Sequence, residues 1–156
     1  MPIEGKVKLD LPETAENVAT DYRIEREAQD LMALNSQLRA VAAQQAGHLA
    51  REITPVSIAQ KKGDALIVDQ DEHPRATSLE TLAKLKGVVR PDGTVTAGNS
   101  SSINDGASAV LIAGEGVLGG EPLARIAGRA AHGVDPDQFP IAPIEAANKA
   151  LARAGR

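Results

Sequence analysis

Three consecutive hydroxyls at Ser100, Ser101 and Ser102, with Gly98 before them and Gly106 after, form the stretch of this chain best suited to meet a ligand. The serines offer donors and acceptors, and the glycines let a bound molecule come close to the backbone. A polar connecting turn has the same composition, so two readings stand here: ligand contact, or a linker between elements. Nucleophilic use of Ser101 would need a positioned base and an oxyanion hole, and no Gly-x-Ser-x-Gly elbow frames it. No Walker-type lysine is present, which weakens nucleotide-fold readings. His48, His73 and His132 stand far apart with no ligand partner at helical or turn spacing, so no metal is expected. Asp69, Asp71 and Glu72 resemble a carboxylate cluster, but without Ca²⁺-loop spacing they read as a solvated turn.

Composition narrows the partners. Of 156 residues only Tyr22 and Phe139 are aromatic, so the stacking platforms that read single-stranded nucleic acid or sugars are missing. Seventeen basic against twenty-one acidic residues argue against a phosphate-backbone footprint, and no nucleic-acid partner is expected. With no cysteine there is no disulfide framework, thiolate metal site or cysteine nucleophile. Nowhere do eighteen apolar residues run together and the N-terminus carries no apolar h-region, so the expectation is a cytoplasmic protein without a membrane span.

The elements that would position the serine stretch follow from periodicity and capping residues. Thr14 is placed to cap a short helix through Ala19, with Glu13 and Glu16 favourable to its dipole. Ala28, Leu31, Leu34, Leu38 and Val41 recur at three- and four-residue steps, predicting a helix that Gly47 stops. Ile53–Ile58 alternates apolar and polar, Lys61–Asp64 is a turn and Ala65–Val68 is β-branched, which predicts a hairpin with Pro55 on an edge. Ser78 is a cap for a brief helix through Leu85, and Pro91-Asp92-Gly93 is turn chemistry. Ala107–Ala113 reads as a buried strand and Leu123–Gly128 as another strand candidate, before a closing helix from Pro143 through Leu151. Two such strands do not make a buried sheet, so their partner strands are expected to come from outside this chain or to be missing.

Several ordered motifs carry a family likeness. These are Thr14-Ala15-Glu16-Asn17-Val18-Ala19, the helix with Glu27, Gln29-Asp30 and Ser36-Gln37, then Leu82-Ala83-Lys84-Leu85, Val95-Thr96-Ala97-Gly98-Asn99 and Asn104-Asp105-Gly106-Ala107. Gly133-Val134-Asp135-Pro136 and the closing Ala150–Gly155 extend the series. In this order they resemble the middle section of thiolases, acetyl-CoA acyltransferases that form or cleave 3-ketoacyl-CoA thioesters. The resemblance implies an α/β (α+β) fragment of thiolase type. Residues 1–90 would be the helical CoA-binding loop region with its hairpin, 91–120 the end of the first thiolase half, and 121–156 the start of the second.

By position the resemblance implies that Ser101 contacts the pantetheine arm of CoA and that Ala97 contributes backbone to the same tunnel. Arg75 would lie against the nucleotide, Thr81 would touch the cofactor where the family often has serine, and Phe139 would line the acyl pocket, with core filling as its alternative. An ion pair with the nearby acids is the alternative for Arg75. Ser100 and Ser102 replace the family's usual alanine and glycine, and Asp10-Leu11-Pro12 replaces its His-Met pair and following glycine. The family's nucleophilic cysteine, its Gly-His-Pro histidine and its second cysteine have no counterpart, since there is no cysteine and His73-Pro74 follows Glu72. No catalytic residue is therefore assigned. The expected function is a thiolase-type segment, inactive alone and as if truncated, with coenzyme A or acyl-CoA as ligand, no covalently bound cofactor, and a link to acyl-CoA chemistry such as fatty acid metabolism. The expected partners are a further copy in a homo-oligomer or a complementing thiolase chain, and the alternatives are a non-catalytic CoA-binding module or a purely structural partner.

Overall fold

The computed structural model describes residues 10–117 and 119–156. These group into two compact units, one formed by the residues up to Arg23 together with those from Ser101 onward, the other by Ile24–Ser100.

In the first unit, α1 spans Leu11–Asp21 and starts three residues before the expected cap. Asp10 occupies the cap position without a side-chain cap bond, and Pro12 lies within the first two helical positions, where its missing N–H costs nothing. Thr14 is therefore inside the helix and buried, its hydroxyl donating to the Leu11 carbonyl at 2.7 Å. Val18 and Ala19 are buried on the same helix, which packs against a 3-10 stretch at Pro136–Ile141. Gln138 Nε2 donates to Asp21 Oδ2 at 2.7 Å, tying the two together. The closing helix, α4, runs Ala142–Arg153, slightly longer than its periodicity predicts. Gly128 packs against it so closely that a Cβ there would stand 2.5 Å from the Ala150 carbonyl oxygen.

Neither of the two strands expected in this unit is present. Residues 101–113 form no helix or strand, and Val110 and Leu111 are each 81% exposed. Leu123 and Ile126 are likewise exposed and unpaired into any strand. A strand exists only by pairing with a neighbour, and among the described residues neither run has one, so the apolar pattern is kept without the burial it predicts.

In the second unit α2 spans Arg26–Gln45, and Gly47 stops it with a φ of +73° that disfavours side chains bearing a Cβ. A 3-10 turn at Leu49–Arg51 leads to β1 (Val56–Ile58), which pairs antiparallel with β2 (Leu66–Val68) in the register Val56 to Val68 and Ile58 to Leu66. Gly63 takes the positive φ in the connection, and Pro55 lies just outside β1. The helix α3, Leu79–Ala83, is capped as expected, with Ser78 Oγ accepting from the Thr81 amide at 3.2 Å. The chain then doubles back: Gly87 bridges Thr96, Val88 N donates to Val95 O at 2.9 Å, and Gly93 N closes the turn onto Arg90 O. Leu82, Val95 and Ala33 form the small apolar core here, and full burial of a side chain such as Leu82 stabilises by roughly 2 kcal/mol.

Candidate functional site

The Thr94–Asn99 turn is built around one side-chain amide. Asn99 Oδ1 accepts from the Thr96 amide at 2.7 Å, while its Nδ2 donates to the Thr94 carbonyl at 2.9 Å and to Asp30 Oδ1 at 3.0 Å. Thr96 is fully buried and its hydroxyl accepts from the Gly98 amide at 3.2 Å. Gln29 Nε2 adds a bond to Thr94 Oγ1 at 2.9 Å. Gly98 is required by packing, since a Cβ would lie 2.5 Å from both Leu82 Cδ2 and Leu85 Cδ1 of the α3 segment. With the side chains of Thr94, Thr96 and Asn99 all hydrogen-bonded within the unit, Ala97 is exposed at the tip of the turn.

The other oxygen of Asp30 accepts from Arg26 Nε at 2.8 Å. Arg26 and Asp30 are one helical turn apart on α2, and burial of the pair makes the loss of either partner costly. The guanidinium also reaches the end of α3, donating through Nη2 to the Leu82 carbonyl at 2.6 Å and the Leu85 carbonyl at 3.1 Å. Both carbonyls lie at or just beyond the C-terminal end of α3, where a cation is favourable, and the Leu82 oxygen also accepts from the Leu85 amide at 3.0 Å. The start of α2 thus holds α3 with one hand and the Thr94–Asn99 turn with the other. No buried side-chain nitrogen or oxygen among the described residues lacks a partner.

Three of the residues expected to contact CoA belong to this second unit. Thr81 sits exposed in the first turn of α3, its Oγ1 3.0 Å from Ser78 Oγ. Ala97 is the exposed tip just described. Arg75 is exposed in the loop before α3, and its backbone amide donates to Gln37 Oε1 on α2 at 2.9 Å. Among the described residues no carboxylate pairs with its guanidinium, so the surface ion pair with Asp71 or Glu72 does not form. Asp71 instead bonds locally, its Oδ1 accepting from the His73 amide at 2.9 Å and its carbonyl from Gln44 Nε2 at 2.9 Å. Ser101 and Phe139 belong to the first unit, both exposed. Phe139 lies in the 3-10 stretch at 53% exposure, so it fills no core in that unit.

Sequence reasoning passed over Arg26 and Asp30 as functional positions, although their i, i+4 spacing on a helix is the usual mark of an ion pair. Sequence reasoning also sets nucleotide-fold readings aside, although Gly114-Glu115-Gly116-Val117-Leu118-Gly119 has the spacing of a dinucleotide-binding fingerprint after an apolar run. The structure gives that fingerprint no support: no strand precedes it and no helix opens after it among the described residues, so the helix N-terminus that would face a pyrophosphate is missing. No group of three His, Asp or Glu side chains among the described residues could hold a metal ion, and no helix there is long and apolar enough to cross a membrane.

Comparison with known proteins places this geometry. Residues 7–116 match the family model "Thiolase, N-terminal domain". The chain is 51% identical over 148 residues to a beta-ketoadipyl-CoA thiolase of Acinetobacter baylyi, covering 92% of this chain and 37% of that protein. It is 51% identical over 146 residues to an acetyl-CoA acetyltransferase of Pseudomonas aeruginosa, covering 91% and 37%. Among solved structures, the acetyl-CoA acetyltransferase of Bacillus anthracis superimposes with a TM-score of 0.90 at 39% identity, over 99% of this chain and 39% of that one. Human mitochondrial 3-ketoacyl-CoA thiolase gives 0.87 at 44% identity, over 96% and 38%. The chain spans a little over a third of the length of these relatives, and across that span it belongs to the thiolase family.

Proposed function

We propose that these residues are the CoA-contacting segment of a thiolase-type acyl-CoA C-acyltransferase. The observation that carries the reading is that Arg75, Thr81 and Ala97 are all exposed on elements bonded to one helix, α2. An exposed guanidinium suits a nucleotide phosphate or adenine face, and an exposed alanine at a tight backbone turn suits a slender pantetheine arm. Ser101 would add a hydroxyl to the arm and Phe139 a wall to the acyl pocket. The chain supplies binding and not the family's cysteine nucleophile, since it contains no cysteine. The division into a loop region at 1–90, the end of one thiolase half at 91–120 and the start of the next at 121–156 belongs to the same reading, as do a cytoplasmic setting and a role in acyl-CoA metabolism.

Isothermal titration of the purified chain with CoA, alongside a thiolysis assay, tests this. Expected is binding with a dissociation constant on the order of 1 mM or tighter, about −4 kcal/mol, with no turnover. Turnover by the chain alone, or the absence of both heat and melting shift at such concentrations, refutes it.

The exposed runs at Ile103–Ile112 and Leu123–Ile126 favour a second, compatible reading. These apolar runs would pair with strands from the thiolase portions that this span of a little over a third leaves out, so the segment works when those portions cover it.

A further inference from the structure

The geometry points to Asp30 as a positioning residue, whose carboxylate fixes the spacing between the Thr94–Asn99 turn and α3 by holding Asn99 with one oxygen and Arg26 with the other. Asp30 itself does not reach the surface, being 3% exposed, so it contacts no ligand. One of its bonds nonetheless ends at the turn that carries the exposed Ala97, and the other ends at Arg26, which in turn reaches α3, the element that carries Thr81. Along one path, Asp30 orients the Asn99 amide, whose carbonyl oxygen then has to face the Thr96 amide. Along the other, it orients the Arg26 fork, whose far nitrogen clamps the carbonyls of Leu82 and Leu85. A carboxylate does this better than any neutral group because both partners donate, and a charge-assisted bond is about twice as strong as a neutral one. The third candidate, Arg75, hangs from Gln37 farther along α2 and does not depend on this carboxylate. The inference rests, for its ligand, on the CoA-contacting role proposed above, and it adds that the pantetheine side of the site and the nucleotide side are positioned separately.

The experiment uses the full chain with Asp30→Ala and, keeping volume while removing charge, Asp30→Asn. A first measurement needs no ligand. Hydrogen exchange of the Thr96 amide should speed up about tenfold in Asp30→Ala, although Asp30 does not bond that amide, because the effect travels through Asn99. The amides of Val41–Gln45 in α2 should change less than about twofold, which separates positioning from general unfolding. Asp30→Asn should show a smaller change of the same sign. A second measurement titrates pantetheine, adenosine 3′,5′-bisphosphate and CoA. Pantetheine and CoA should weaken about tenfold while the bisphosphate stays within about twofold. Equal weakening of pantetheine and bisphosphate, or a Thr96 amide unaffected by both variants, overturns the inference. If the unsubstituted chain binds none of the three probes, the CoA reading fails, and the exchange of Thr96 still decides the positioning role.

Discussion

Substituting Gly98 with alanine tests the packing on which the turn depends. The added Cβ would sit 2.5 Å from Leu82 Cδ2 and from Leu85 Cδ1, whereas carbon atoms in contact prefer about 3.5–4.0 Å. Each methyl would have to withdraw by about 1 Å or more, and Leu82, at 3% exposure, has little room. Overpacking of this kind costs about 1–3 kcal/mol. Gly98 has no positive φ, so alanine also restricts the unfolded chain, which offsets about 0.4–1 kcal/mol. The net expectation for Gly98→Ala is a loss of about 1–2 kcal/mol. In urea, with a slope of about 2 kcal/mol per molar, the midpoint should fall by about 0.5–1 M when followed by the far-ultraviolet signal of α2. Gly106→Ala is the reference, because nothing stands within 4 Å of its Cβ and its φ is ordinary, so it should hold the midpoint or raise it slightly. Leu85→Ala, which removes one of the two clashing methyls, should make Gly98→Ala less costly in the double variant than in the single one. A Gly98→Ala chain as stable as the unsubstituted one would refute the close approach of turn and helix.

Two further outcomes concern one residue in each unit. Ser78→Ala removes the side-chain cap of α3 and should lower the stability of the second unit by about 1 kcal/mol in urea denaturation, whereas an unchanged midpoint would mean that α3 is held by Arg26 alone. Leu111→Asp, at a site 81% exposed, should change the stability of the chain by less than about 0.5 kcal/mol yet abolish its capture by a co-produced polypeptide carrying the remaining part of a thiolase. Capture that survives the charge would sink the strand-completion reading.

The elements encoded by local signals were legible in the sequence. The apolar steps from Ala28 to Val41 and the stop at Gly47 gave α2, the alternation around Lys61–Asp64 gave the hairpin, and Ser78 gave the start of α3. Thr14 misled because a hydroxyl near a helix start caps only when its own backbone is extended, and Pro12 had already begun the helix upstream. Val110-Leu111-Ile112 reads as buried because apolar runs usually find two neighbours, and sequence does not reveal whether those neighbours belong to the same residues. The hub of the candidate site was hidden for a related reason. Asp30 and Asn99 are separated by 69 positions, and nothing local to either records that the other completes its bonding.

The Asn99 side chain has a direction, with its oxygen facing an N–H and its nitrogen facing two acceptors. Shape is therefore the wrong guide to what position 99 tolerates. Slow hydrolysis of that amide during storage would yield aspartate, identical in outline, and would set a second negative oxygen against the Asp30 carboxylate at hydrogen-bonding range. A chain changed in this way would lose order at this turn, through the chemistry of one nitrogen atom.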